Sequence, residues 1–288
     1  MSDISRRAFL RRATETAGLA GIVSLDSAEL RANPLGLPIG CQTWPVRQWI
    51  AQDFPGTIKK LKAVGFQSIE LCSPVGYAHL GFGGLAKYSG SQLRRIIRDL
   101  GVECISSHFS LQELRQNQEG RIAWAKELGL TQMMVPSLDG PEHPTMDDVK
   151  RAADEFNQIA ERAAEAGIQQ GLHNEGFLDT SLADGQKTYD ILFKLLNPQT
   201  VKFQFQISAI AYGFDPIHYF ATYPGRFISM HVQGWDARTR KIVAVGHGTL
   251  NWKKVFEAAR IGGIKNYYVE MPFPLMEASV PYLRRLKV

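Results

Sequence analysis

The sequence predicts a single (β/α)8 barrel. From Leu37 onward, short β-branched or apolar runs alternate with longer segments of helical period, and eight such strand–helix units can be counted. No Pro/Gly/Ser-rich linker separates two halves, and α/β barrels of about 200 to 250 residues occur as one domain. We therefore expect one barrel domain over residues 33–288. An open doubly wound sheet is the alternative.

The strands are predicted from the apolar runs, and helical periodicity fills the gaps between them. The predicted strands are 39–44, 67–72, 102–108, 132–136, 169–174, 201–206, 227–232 and 266–271. The predicted helices are 53–64, 89–100, 116–128, 145–166, 185–196, 216–223, 251–261 and 274–286. A glycine after several helices leads directly into the next strand, where it supplies a left-handed cap. These glycines are Gly65, Gly101, Gly129 and Gly167.

Local sequence signals indicate where the longest helix begins and argue against an open dinucleotide-binding sheet. Thr145 opens the longest predicted helix as a cap, with Asp147 and Asp148 in the favourable first turn. The glycine-rich segment 81–84 follows no predicted strand and opens no predicted helix. The dinucleotide fingerprint of an open sheet is therefore missing, which favours the closed barrel.

Composition excludes several classes of protein. The 288 residues are 44% hydrophobic and 21% charged, which is typical of a globular chain rather than a disordered one. The net charge of +5 is spread diffusely, without a basic stretch interleaved with aromatic residues, so we expect no nucleic-acid partner. Three cysteines without a CxxC pair are expected to be buried thiols. Apolar outer helices permit a homodimer without requiring one.

The first 32 residues are predicted to be a targeting leader. Arg6 and Arg7, followed by Phe9 and Leu10, match the twin-arginine pattern, and an apolar stretch over 17–25 comes after them. A basic amphipathic helix is the alternative. We expect export to the periplasm, with the leader either removed near Ala32 or retained as an anchor.

Polar residues gather at the carboxyl ends of the predicted strands, which in a barrel form one mouth and carry the chemistry. These strand-end residues are Gln42, Trp44, Glu70, Cys72, His108, Ser137, His173, Glu175, Gln206, His231, Gln233 and Glu270. Because strand side chains alternate with period two, His173 and Glu175 lie on the same side. Imidazole, carboxylate and amide groups from successive strands would suit Mn²⁺, Co²⁺, Zn²⁺ or Mg²⁺.

Several motifs resemble the xylose isomerase-like barrel superfamily, in particular its bacterial sugar phosphate isomerase/epimerase branch. These motifs are the segments 40–47, 106–108, 171–174, 223–226, 230–231, 245–252 and 268–270. The resemblance covers 37–288 and implies a barrel enzyme acting on carbohydrate. The superfamily also includes dehydratases, keto-sugar lyases or hydratases, and endonuclease IV-like nucleases, so it does not fix the reaction.

The resemblance also implies a metal site, with substitutions. Related epimerases hold a divalent ion with Glu, Asp, His and Glu from strands five to eight, and the two Glu residues also move protons. In this sequence His173 and Gln206 stand at the first two positions, whereas His231 and Glu270 agree with the pattern. A barrel that has lost its metal and kept a hydrogen-bonding cavity is the alternative.

The replaced first Glu requires another base. We predict Glu175 as the base for a proton α to a carbonyl and His108 as the partner acid, beside Glu270. Five residues are candidate substrate contacts: Gln42, Trp44, Arg47, Glu70 and Gln233. The flat ring of Trp44 could stack on a sugar ring, and the guanidinium of Arg47 could donate hydrogen bonds to hydroxyl, carboxylate or phosphate oxygens. Glu70 is also a reserve base, or a carboxylate satisfied by hydrogen bonds.

We therefore expect a metal-assisted sugar isomerase or epimerase that enolises its substrate. A keto-sugar or 3-keto-glycoside lyase or hydratase is the alternative. An endonuclease IV-like phosphodiesterase is disfavoured because the fourth strand ends at Ser137 without a carboxylate and Gln206 replaces an acid. A non-catalytic sugar-binding barrel is the remaining class. A periplasmic address and the missing phosphate-binding glycine loop favour an unphosphorylated substrate.

Overall fold

A computed structural model describes residues 33–288 and shows a closed barrel of eight parallel strands. The strands run in chain order around the barrel, and the first strand pairs with the last to close it. They are β1 Ile39–Gln42, β2 Ser68–Cys72, β3 Glu103–His108, β4 Gln132–Val135, β5 Gln169–His173, β6 Val201–Gln206, β7 Phe227–Val232 and β8 Asn266–Val269. The predicted (β/α)8 fold is confirmed. The predicted leader, residues 1–32, lies outside the described residues.

Helices cover the outside of the barrel. They are α1 Arg47–Gln52, α2 Phe54–Val64, α3 Gly90–Asp99, α4 Leu111–Leu128, α5 Met146–Glu165, α6 Thr188–Leu195, α7 Pro216–Thr222, α8 Trp252–Gly262 and α9 Phe273–Arg285. Within residues 33–288, none of the helices has the length and apolar character needed to cross a membrane.

The predicted caps are present. The side chain of Thr145 accepts a hydrogen bond from the Asp148 backbone N–H at 3.2 Å, which satisfies one of the free donors at the start of α5. Gly65 ends α2 with φ of 114°, a left-handed conformation that favours glycine. The boundaries of α2 and α5 are thus encoded by residues next to them in the chain.

Helix α1, helix α4 and a hairpin differ from the sequence-based expectation, which had no helix over 47–52. Helix α4 begins at Leu111 instead of residue 116, because Ser110 and Glu113 form a capping box and Asn117 leaves helical geometry inside the element. A two-stranded hairpin, Gly234–Asp236 with Lys241–Val243, follows β7 and was not predicted. Strands of three residues are too short to show an alternating pattern.

Alternation along β6 separates the outer core from the barrel interior. The Phe203 ring packs on Phe193 of α6, with ring centroids 3.9 Å apart. Between Phe203 and Phe205, the side chain of Gln204 points inward and donates to Glu70. Gln204 thus faces the barrel interior, whereas the neighbouring phenylalanines face the helices.

The interior below the mouth is filled closely enough that one glycine is required for packing. A Cβ atom on Gly40 would lie 2.5 Å from Cδ1 of Tyr268 and 2.6 Å from the Tyr267 carbonyl oxygen. Gly40→Ala should therefore lower the free energy of unfolding by about 1 to 3 kcal/mol, the usual cost of overpacking. Thermal and urea unfolding measure this change.

Gly84→Ala is the matched control, because its Cβ would meet no atom closer than 3.9 Å. An unchanged midpoint for Gly40→Ala would contradict the packing described for Tyr268.

Candidate active site and metal centre

Three histidines from different strands meet inside the mouth of the barrel. The rings of His108 and His231 are nearly parallel, with centroids 5.3 Å apart and an interplanar angle of 11°. The His173 ring lies 4.5 Å from that of His231, centroid to centroid. His173 and His231 are fully buried and His108 is 6% exposed, so each of the three rings depends on protein partners.

Glu70, which is fully buried, is the common partner of two of these histidines. Its Oε2 atom lies 2.6 Å from Nε2 of His231 and 3.2 Å from Nε2 of His108. Its Oε1 atom accepts hydrogen bonds from the Ser106 hydroxyl at 2.6 Å and the Gln204 amide at 2.8 Å. The carboxylate thus receives bonds at both oxygen atoms, as a buried charge requires.

These contacts set the charges of the group. Burial raises the pKa of Glu70, but the charges and hydrogen bonds of His108 and His231 outweigh burial and hold it well below its usual range. Burial lowers the pKa of His231, yet Glu270 and Glu70 together raise it to about 10. For His108, the Glu70 carboxylate likewise overcomes burial and raises the pKa. A carboxylate anion therefore stabilises imidazolium neighbours.

A second group of ligand-type atoms lies on the other side of His231. Nδ1 of His231 is 2.9 Å from Oε2 of Glu270, and the Gln206 amide donates to the same oxygen at 2.7 Å. His173, His231 and Glu270 each offer an atom within 4.8 Å of the others. Glu70, His108 and His231 form another such group. The buried Glu/His clusters suggest a divalent metal.

The two groups differ in how many of their polar atoms already make hydrogen bonds within the protein. Neither ring nitrogen of His173 makes a hydrogen bond with the described residues, although Nε2 lies 3.4 Å from Glu175 Oε1. Oε1 of Gln206 is also buried without a partner. Burial, followed by the charge of His231, lowers the pKa of His173 and favours the neutral imidazole that binds metals. Residues His173, Gln206, His231 and Glu270 therefore fit a divalent ion better than the satisfied Glu70 group.

A cavity of about 130 Å³ opens beside these residues. It is lined by Gln42, Trp44, Cys72, Tyr77, His108, Pro136, Glu175 and Glu270. Two carboxylates and one imidazole thus face the same space, with two aromatic rings in its wall. Such a combination of polar groups and flat apolar surfaces suits a small polyhydroxylated ligand.

The charge of Glu175 follows from its position above the histidines. Burial raises its pKa, but His173 first, and then the charges of His108 and His231, lower it to about 2. The carboxyl group is therefore ionised at neutral pH. It has no hydrogen to donate there and acts as an acceptor.

A model of the xylose isomerase-like TIM barrel family matches residues 58–285 of this sequence. The chain belongs to this family. Among solved structures, the barrel is similar to a sugar phosphate isomerase/epimerase from Parabacteroides distasonis, with 24% identity and a TM-score of 0.72 over 87% of this chain and 96% of that chain. A comparison with functionally curated proteins gives no significant match.

Two further solved structures share the fold. L-ribulose 3-epimerase is 15% identical, with a TM-score of 0.62 over 86% of this chain and 93% of that chain. The IolI protein with a bound zinc atom is 12% identical, with a TM-score of 0.63 over 86% and 95% of the two chains. These similarities show the fold, and the structures include proteins named as sugar isomerases and epimerases.

Three of the predicted substrate contacts of this xylose isomerase-like barrel do not line the cavity. The Arg47 guanidinium lies 4.4 Å from the centroid of the Trp44 ring, and its Nη1 atom donates to the Trp44 carbonyl oxygen. Glu70 lies below the cavity, fully buried. Gln233 donates to the backbone oxygen of Glu270 at 3.0 Å. Only Gln42 and Trp44 of that set reach the cavity wall.

The sequence analysis assigned no role to four residues that shape the site. Ser106 and Gln204 bond Glu70. Alternation along the strand places Gln204 on the inward face with Gln206, and the same alternation from His108 would have placed Ser106 there. Cys72, taken as a structural thiol, lines the cavity and accepts a hydrogen bond from Gln42. Tyr77 comes from the loop after β2, where no periodic signal exists.

Proposed function

We propose that this chain is a divalent-metal-assisted sugar isomerase or epimerase that removes a proton α to the substrate carbonyl. The observation that carries the proposal is that Glu175, His108 and Glu270 all line one cavity. Proton removal next to a carbonyl requires a base, an acid and a means of stabilising the enediolate. The three side chains, together with the adjacent metal-ligand set, supply these parts.

The proposed metal ligands are His173, Gln206, His231 and Glu270, and the ion would be Mn²⁺, Co²⁺, Zn²⁺ or Mg²⁺. When bound, the ion supplies a Lewis acid that stabilises negative charge on a substrate oxygen. Glu270 is the single carboxylate among these four side chains. The site would therefore offset less of the ion's charge than a three-carboxylate site does.

The acid and base are assigned from charge and position. Glu175 is ionised and faces the cavity, so it accepts the proton. The neighbouring Glu70 raises the pKa of His108, which favours the protonated imidazole needed of an acid. The Trp44 and Tyr77 rings, 6.1 Å apart and edge to face, would pack against the apolar side of a sugar.

The substrate is proposed to be an unphosphorylated keto-sugar. None of the described residues that line the cavity is a lysine or an arginine, and two are carboxylates. A phosphate group beside Glu175 and Glu270 would meet repulsion rather than the bidentate arginine contacts that usually bind it. Export through the predicted twin-arginine leader agrees with such a substrate and stays a prediction.

A lyase acting on a keto-sugar or 3-keto-glycoside is the second candidate. The observation that favours it is the unlike acid–base pair, since Glu175 is ionised whereas the pKa of His108 is raised. β-Elimination needs one group to take the α proton and another to protonate the leaving oxygen. Epimerisation by two like carboxylates does not need this asymmetry.

Hydrogen exchange with solvent tests the proposal directly. The metal-loaded chain is incubated in D2O with unphosphorylated ketopentoses, ketohexoses and 3-keto-glycosides and, separately, with sugar phosphates. Products are analysed by mass spectrometry and NMR. For the first candidate we expect an isomerised or epimerised sugar that carries one deuterium at the reprotonated carbon. For the second we expect an unsaturated product that has lost the α hydrogen and the β-linked oxygen and has gained no deuterium at that carbon. Exchange confined to sugar phosphates would refute the substrate assignment. Neither exchange nor elimination with any keto-sugar would refute enolisation.

A further inference from the structure

Glu70 contacts two histidines of the site through one of its carboxylate oxygen atoms. It is fully buried and lies below the residues that line the cavity. His108 comes from β3 and His231 from β7, on different sides of the barrel, yet both direct Nε2 at the same Oε2 atom of Glu70. A single carboxylate therefore orients a side chain of the proposed acid–base pair and a side chain of the proposed metal site.

The hydrogen on His108 can be placed from its neighbours. Nε2 of His108 is 2.8 Å from Oε1 of Gln204, whose own amide N–H groups donate to Glu70 and to the Ser229 hydroxyl. Turning the Gln204 amide over would set its oxygen against the Glu70 carboxylate, so the amide is fixed in one orientation. Both neighbours of Nε2 are then acceptors, and Nε2 must carry the hydrogen.

The same reasoning applies to His231. Its Nε2 atom faces only the Glu70 carboxylate among its hydrogen-bond partners, and a carboxylate accepts. Nδ1 is consequently the nitrogen on the Glu270 side. Metal-binding histidines commonly donate their second nitrogen to a carboxylate in this way, which fixes the ring and makes it a stronger ligand.

We propose that Glu70 is a positioning residue that holds Nε2–H of both His108 and His231, so that Nδ1 of each ring is left for the site. This inference rests on the proposed function for its consequences, since Nδ1 of His231 would bind the metal and Nδ1 of His108 would meet the substrate. Glu70 itself touches neither. Its buried carboxylate connects the proposed acid–base pair to the proposed metal site, because both histidines contact its Oε2 atom.

Glu70→Gln tests this role with almost no change in volume. The four neighbours of Glu70 each direct a hydrogen-bond donor at its carboxylate. The NH2 group of a glutamine would therefore face two of these donors and lose both hydrogen bonds. We expect Co²⁺ affinity, measured by chelator competition, to fall by about 10- to 100-fold, as for other lost partners of metal-binding histidines. The visible absorption bands of bound Co²⁺ should keep their positions because the ligands themselves are unchanged.

Glu113→Gln is the matched control. Glu113 is 3% exposed and accepts hydrogen bonds from the Ser73 hydroxyl and the Ser110 backbone, away from the histidines. This variant should keep the Co²⁺ affinity of the parent chain. Equal affinity in Glu70→Gln and the parent would overturn the proposal. Shifted Co²⁺ bands in Glu70→Gln would overturn it too, because they would make Glu70 a ligand.

Nitrogen-15 NMR of the unsubstituted, metal-free chain tests the proposal without any Glu70 variant. Signals of His108 and His231, assigned with His→Gln variants, should show a hydrogen on Nε2 in both rings at neutral pH. A bare Nε2 in either ring would overturn the positioning role even if metal binds. Conversely, Nε2–H in both rings without measurable Co²⁺ binding would support the role of Glu70 and refute the proposed metal site.

Discussion

Glu270→Ala should remove bound metal and turnover together. Oε2 of Glu270 is within 2.9 Å of Nδ1 of His231 and 2.7 Å of the Gln206 amide, and its carboxylate is the one anion in the proposed ligand set. Without it, two imidazoles and an amide remain, and none of them offsets the charge of the ion. The loss in affinity should exceed the roughly 10- to 100-fold typical of losing an outer partner. Elemental analysis after dialysis and the D2O assay measure both effects.

This substitution also separates the two candidate clusters. His231 belongs to both, so His231→Ala should abolish metal binding wherever the ion sits. Glu270 belongs only to the cluster with His173. Metal retained in Glu270→Ala at the level of the parent chain would therefore place the ion at Glu70, His108 and His231. Metal absent from the parent as well would leave a hydrogen-bonding cavity. His247→Ala, an exposed residue outside both clusters, should keep its metal.

The barrel was predictable because its signals are local. Strands β6 and β7 have the predicted limits, since apolar and polar residues alternate throughout β6 and from Ile228 to Val232 in β7. The start of α5 follows from Thr145 and the acids beside it in the chain. Helix α4 was placed late because Asn117 interrupts its geometry, and the sequence period breaks at the same point.

The site was only partly predictable because its decisive contacts are long-range. Strand-end position was enough to single out His108, Glu175 and Glu270, which do line one cavity. The role of Glu70 depends on His231, a residue 161 positions away. Arg47 was expected to bind substrate oxygens, and in the structure its guanidinium lies over the Trp44 ring and donates one hydrogen bond to the Trp44 carbonyl oxygen. No periodic pattern encodes such contacts.

Glu175→Gln should abolish proton transfer while leaving the metal in place. The substitution keeps the size of the side chain and its ability to contact substrate hydroxyls, but an amide does not accept a proton at neutral pH. Loss of a general base typically costs about 10²- to 10⁴-fold in rate, so deuterium incorporation should fall by that range. Because Glu175 is not in the proposed ligand set, metal content should stay near that of the parent.

Asp179→Asn is the control for this substitution, since Asp179 lies four residues later in the same loop and does not line the cavity. It should retain the parent rate, which would show that losing a carboxylate in this loop is not itself damaging. If Glu175→Gln keeps the parent rate as well, the base must be the other carboxylate in the cavity, Glu270. One residue would then hold the metal and move the proton, and Glu270→Ala would remove both functions at once. A rate loss confined to Glu175→Gln instead divides the two tasks between the ends of β5 and β8, with His108 opposite as the acid.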